Sequence, residues 1–114
     1  LNDAGSNLAI TTDANMVDNT YYHWVMVYDG DGATDADRLK LYQDSVLKTL
    51  SFVGTNPSSL QNGTAPFFLG NWSSGLDRPL FGYLDETGIY DVALTQSNVD
   101  YLYNSGAAQR PPFS

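Results

Sequence analysis

The segment FGYLDETGIYDVALTQSNVDYLYNSG, residues 81–106, limits what this chain can fold into more than any other. Its first half is aromatic, reads as extended chain, and carries the adjacent acids Asp85 and Glu86 ahead of Gly88. Its second half carries the signals of one short amphipathic helix. Thr95 is a natural N-cap, because its hydroxyl accepts an amide hydrogen bond two or three residues on. Leu94 before that cap and Val99 at the fourth helical position form a hydrophobic staple. Val99, Leu102 and Tyr103 make one apolar stripe, and Gly106 is placed for a left-handed C-terminal cap. A helix of about ten residues is marginal alone, so it must dock on a sheet.

The rest of the chain supplies strands. Residues 7–12 (NLAITT) alternate weakly. Residues 21–28 are apolar on both parities, with Tyr21, Val25 and Val27 on one side and Trp24, Met26 and Tyr28 on the other. Such a strand is expected to be buried on both faces, as in the middle of a sandwich. Residues 38–43 alternate, which predicts Leu39 and Leu41 inward and Lys40 and Tyr42 outward. Asp44 and Ser45 can make a two-residue hairpin turn, although glycine is missing from its preferred place. The returning strand is expected over residues 46–52. Further strands are expected over 67–70 and 80–90, with polar, Pro- and Gly-rich loops at 54–66 and 71–79. No repeat or linker divides the chain, so residues 1–114 read as a single domain.

Charge narrows the partners. Twelve of the thirteen acids are Asp, only Glu86 is Glu, and five basic residues leave a net charge of −8. Asp favours turns where Glu favours helices, which again describes short strands joined by many loops. Without a basic cluster no surface can neutralise phosphates, so nucleic acid and anionic membranes are not expected partners. No apolar run approaches the ~20 residues of a membrane-spanning helix. Cysteine is absent, which removes disulfides, thiolate metal sites and a cysteine nucleophile. Two sequons, at Asn62 and Asn71, matter only in a eukaryotic secretory setting.

Taken in order, these segments resemble the C-terminal part of a laminin G-like, concanavalin A-type jelly roll. Members of that family carry a strand W-x-H-V-A followed by Tyr-Asp-Gly. Here Tyr21 takes the Trp place, His23 keeps the His, and Tyr28-Asp29-Gly30 match outright. The family's next hairpin, L-x-L-Y-x-D-G, is met by Leu39-Lys40-Leu41-Tyr42-Gln43-Asp44, with Ser45 replacing the glycine. A short apolar strand ending in glycine is met by Phe68-Leu69-Gly70. The last family segment is met by Gly82, Leu84, Asp85, Glu86, Ile89, Tyr90, Ala93, Leu94, Leu102, Tyr103 and Gly106. The resemblance implies an all-β, antiparallel two-sheet jelly-roll sandwich with one short C-terminal helix. The family's first strands have no counterpart, so either the domain begins upstream of Leu1 or another chain supplies them. An incomplete sandwich exposes a sheet edge, for which strand addition from a neighbour is a remedy. The chain is therefore expected within a larger assembly or a longer polypeptide.

Catalysis is not expected. Related glucanases place two glutamates of an E-x-D-x-E strand on one face of a cleft, and retaining chemistry needs two carboxylates about 5 Å apart. Asp85 and Glu86 are adjacent, so on a regular strand they point to opposite faces. A structural role for Asp85, accepting turn amides, is the alternative. His23 is the only histidine and sits among bulky neighbours, where a buried, hydrogen-bonded role competes with that of a general base. No Gly-x-Ser-x-Gly elbow or glycine-rich phosphate loop occurs.

Two binding sites are candidates. Asp29, Asp31, Asp35 and Asp37 put four hard oxygen donors within nine residues, which suits calcium, against the alternative of a solvated acidic loop. Asn71, Trp72 and Asp77 combine an aromatic face with polar groups, as a pyranose requires; Trp72 folding back over the sheet is the alternative. The expected function is a non-catalytic module that recognises carbohydrate or a neighbouring protein, secreted or displayed on a cell or virion surface. A structural coat, fibre or virion decoration protein is the second reading, and an ancillary domain of a polysaccharide-degrading enzyme the third.

Overall fold

The computed structural model describes residues 8–60, 63–64, 66–71 and 79–107. They form two antiparallel sheets and one short C-terminal helix, consistent with a concanavalin A-like sandwich. In the smaller sheet, β1 (Leu8–Thr11) pairs with β5 (Leu50–Val53), Thr11 lying opposite Leu50. In the larger, β2 (Trp24–Tyr28), β3 (Leu39–Gln43) and β4 (Val46–Leu47) follow one another. A four-residue helix, α1 (Asp35–Arg38), leads into β3, and α2 (Gln96–Tyr103) closes the fold.

The β3–β4 hairpin turns on Asp44 and Ser45, with φ of 51° and 68°. Two central residues in the left-handed region are what the right-handed twist of a hairpin requires, and Asp tolerates that region better than most residues. Asp44 also ties the turn to the start of β2. Its carboxylate accepts the His23 N–H at 2.9 Å, and its own N–H donates to the His23 carbonyl at 2.8 Å. Those two bonds support the turn where glycine is missing.

The single strand expected over residues 46–52 is divided between the sheets. After β4 the Lys48 N–H still donates to the Leu41 carbonyl at 2.8 Å. The Asp13 carboxylate then accepts the Thr49 N–H at 3.3 Å, and the chain continues as β5 beside β1. Asp13, on the connection that leaves β1, thus marks the corner where the chain changes sheets.

The core consists of Val27, Tyr42, Leu94 and Val99, with Val25, Tyr90 and Leu102 packed against it. Tyr42, expected to face outward, is only 3% exposed. The register explains why: Tyr42 lies opposite Val25 and shares a face with Val27, the face on which α2 docks. Leu39, on the other parity, is buried as expected, so parity alone could not choose the core side of β3. The second face of β2 is not closed throughout, since Met26 is 72% exposed.

The helix starts where the sequence places it. The Thr95 hydroxyl accepts the Asn98 N–H at 3.3 Å while the Asn98 side chain accepts the Thr95 N–H at 2.9 Å. This is a capping box with Asn in place of Glu or Gln. Leu94 and Val99 are both buried, as the staple demands. The C-cap is Asn104 (φ 38°), not Gly106, which follows two residues later at φ 87°. Asn is the non-glycine residue that best tolerates this conformation. Thr95→Ala removes the hydroxyl half of the box, leaves the backbone N–H half in place, and is expected to lower the unfolding free energy by about 1 kcal/mol, read from urea denaturation.

The strands expected at 67–70 and 80–90 are not formed. Neither segment joins a ladder, and Phe81 is 95% exposed with Phe67, Tyr83 and Ile89 also open to solvent. Strand propensity describes a fit to a half-buried pleated surface, and without a partner strand it has nothing to act on. The Leu80 N–H donates to the Gly70 carbonyl at 2.7 Å, joining the two segments.

Candidate functional site

The acidic loop between β2 and β3 is held by its own carboxylates. Asp29 leaves β2 by donating its N–H to the Arg38 carbonyl at 2.8 Å, and its side chain accepts the Asp31 N–H at 3.1 Å. Thr34 caps α1: its hydroxyl accepts the Asp37 N–H at 3.2 Å, and the Asp37 carboxylate accepts the Thr34 N–H at 3.1 Å. The Thr34 hydroxyl, which also donates to the Asp37 carboxylate at 2.7 Å, and the Thr34 N–H, with Lys40 nearby, hold that carboxyl below its ordinary range. Asp35 accepts the backbone N–H of Asn56 from the facing loop. Asp29, Asp35 and Asp37 are therefore each engaged by different backbone groups. Among the described residues no group of three or more acids or histidines is arranged to hold a metal ion. The structure does not gather Asp29, Asp31, Asp35 and Asp37 into one cage.

What the loop does bind is the neighbouring loop at residues 54–60. Besides the Asp35–Asn56 bond, the Arg38 guanidinium donates to the Asn56 carbonyl at 3.0 Å and the Tyr28 hydroxyl to the Pro57 carbonyl at 2.6 Å. Asn56 is a buried polar residue that the sequence patterns alone do not bring forward. The Asn-Pro step at 56–57 is the signal that marks a fixed turn there. Gly30 allows the approach, because a Cβ on it would overlap the Ser58 carbonyl oxygen.

Of the sugar-site candidates, Asn71 is half-buried. Trp72 and Asp77 lie outside the described residues. Asp85 and Glu86 are exposed, and Asp85 accepts the Glu86 N–H at 2.9 Å, with Glu86 at φ 50°. Asp85 thus serves a turn amide. A shallow groove of about 250 Å³ opens where β4 departs for β5. Leu39, Leu47, Leu50 and Phe52 line it together with Lys40 and Lys48, whose ammonium groups donate to the Asp37 and Asp13 carbonyls.

A polar cluster fastens α2 to the hairpin turn. Ser45 donates to the Asp100 carboxylate, and the Gln96 amide donates to that carboxylate at 2.7 Å and to the Ser45 carbonyl at 2.8 Å. The hydrogen bonds from Ser45 and Gln96 hold the Asp100 carboxyl below its usual range. Beside it, the His23 ring lies against Tyr103 of α2, centroids 5.8 Å apart and planes tilted by 30°. Its Nδ1 is buried without a hydrogen-bond partner. His23 precedes β2 rather than sitting within it.

Compared with known families, residues 1–100 match the laminin G-type model described as the concanavalin A-like lectin/glucanases superfamily. No curated protein and no solved structure matches the chain.

Proposed function

Because the chain belongs to the concanavalin A-like lectin/glucanases superfamily, we propose that it works as a non-catalytic recognition module, secreted or displayed on a surface, that holds carbohydrate. The family match over residues 1–100 carries this reading, since such a domain is compatible with carbohydrate or protein binding. Its ligand contacts are assigned to Asn71, Trp72 and Asp77, whose sequence supplies an aromatic ring and polar groups of the kind a pyranose requires.

Glycan-array binding tests the reading. A bound glycan is expected to lose about tenfold or more in affinity in Trp72→Ala, about 1.4 kcal/mol. Unchanged affinity in that variant would remove the loop from the site. A second reading, a structural coat or fibre component, is favoured by the exposed apolar run at Phe67, Phe81, Tyr83 and Ile89. A defined lattice or oligomer with a silent array would favour that alternative.

A further inference from the structure

We propose that His23 is an acid-sensitive latch on the C-terminal helix, and that protonating its imidazole loosens α2 from the sheet. The chain has one histidine, and its backbone is pinned on both sides by Asp44, through the His23 N–H at 2.9 Å and the His23 carbonyl at 2.8 Å. These bonds fix the stretch of backbone from which the ring projects. On its other side it meets Tyr103, the last residue of α2, at 5.8 Å between ring centroids. Its buried Nδ1 has no partner. A neutral imidazole can leave one nitrogen as an idle acceptor, whereas the imidazolium makes both nitrogens donors. A buried donor with no acceptor, on a charged ring partly out of water, opposes the docked arrangement.

The titratable groups on the elements around the ring are Asp44 on the turn, Lys40 and Tyr42 on β3, Tyr28 on β2 with Tyr22 beside the histidine, and Asp100, Tyr101 and Tyr103 on α2. Burial is the larger influence on the imidazole and lowers its pKa from the ordinary 6.5; Asp44 opposes that and is outweighed. The sign follows from proton linkage. A base whose docked-state pKa is depressed takes up its proton more readily when undocked, so docking is at full strength above 6.5 and weakens as pH falls below it. The other anchors of α2, Val99, Leu94 and the Thr95 cap, do not titrate. Asp100, with its lowered pKa, stays ionised through the same window.

Amide hydrogen exchange at pH 7 and pH 5, corrected for intrinsic exchange, reads the latch. Exchange in the last turn of α2 is expected to rise about threefold or more, while the β2–β3 ladder keeps its protection. His23→Phe retains a ring against Tyr103 and is expected to abolish the change. NMR titration of the wild-type imidazole supplies a readout that needs no variant, with a midpoint expected below 6.5. A midpoint at or above that value would mean that Asp44 and the carbonyls ending α2 hold the imidazolium, and the latch would be overturned. A pH effect that survives in His23→Phe would overturn it equally.

Discussion

Tyr42→Ala is expected to lower the unfolding free energy by about 3–5 kcal/mol, the range for removing a large aromatic side chain from a core. Tyr42 is buried in one cluster with three other side chains, Val27 on β2, Leu94 before the helix and Val99 within it. Removing it takes apolar area from all three at once and leaves a cavity that the ladder cannot collapse, because β3 is held by β2 and β4 on either side. Domains commonly have only about 5–15 kcal/mol in total, so the variant should lose most of its helix docking at ambient temperature. Urea denaturation followed by tyrosine fluorescence and circular dichroism measures the loss. Tyr42→Phe, which keeps the ring, should lose far less. A loss below about 1 kcal/mol in the alanine variant would place Tyr42 on an open face and contradict its burial with Val27 and Val99.

Gly30→Val carries the second large effect, and it acts through the backbone. Any Cβ at this position would overlap the Ser58 carbonyl oxygen and stand 3.4 Å from the Tyr28 hydroxyl. The first contact is with main chain, which has no flexible end to move aside, so the two loops must part. Their separation endangers the Tyr28–Pro57 and Arg38–Asn56 hydrogen bonds together, and Asn56 is buried. Overpacking of this kind costs about 1–3 kcal/mol, and each buried polar group left unsatisfied adds about 1–3 kcal/mol. The expected result is destabilisation with increased amide exchange in residues 54–60 and little change in α2. Wild-type stability in Gly30→Val would mean that the loops do not meet.

The elements that can be read from sequence are those whose signals are local. Thr95, Leu94 and Val99 specify a helix start through chemistry confined to a few neighbouring residues, and that start is where α2 begins. Asp44 and Ser45 specify a turn for the same reason. Tyr42 runs against its sequence expectation because inward and outward are decided by the partner strand and the docking helix. Leu39 and Leu41 on one parity and Tyr42 on the other do not settle the matter locally. The segments at 67–70 and 80–90 have the composition of strands, but a ladder needs a second strand, which propensity cannot supply. Among the candidate ligands to calcium, the carboxylates are visible in the sequence while their partners are not. Asp35 accepts the backbone N–H of Asn56, twenty-one residues away, and Asp37 that of Thr34.

The corner at Lys48 and Thr49, where one run of chain serves two layers, restricts how this protein can vary. Side chains along an extended ribbon flip faces at every step. Inserting one residue at that corner would present β5 to β1 upside down, exchanging half-buried Leu50 and Phe52 for Ser51 and Val53. Inserting two would preserve the facing, and loops tolerate the added length cheaply. Evolutionary drift in length at this bend is thereby confined to even steps.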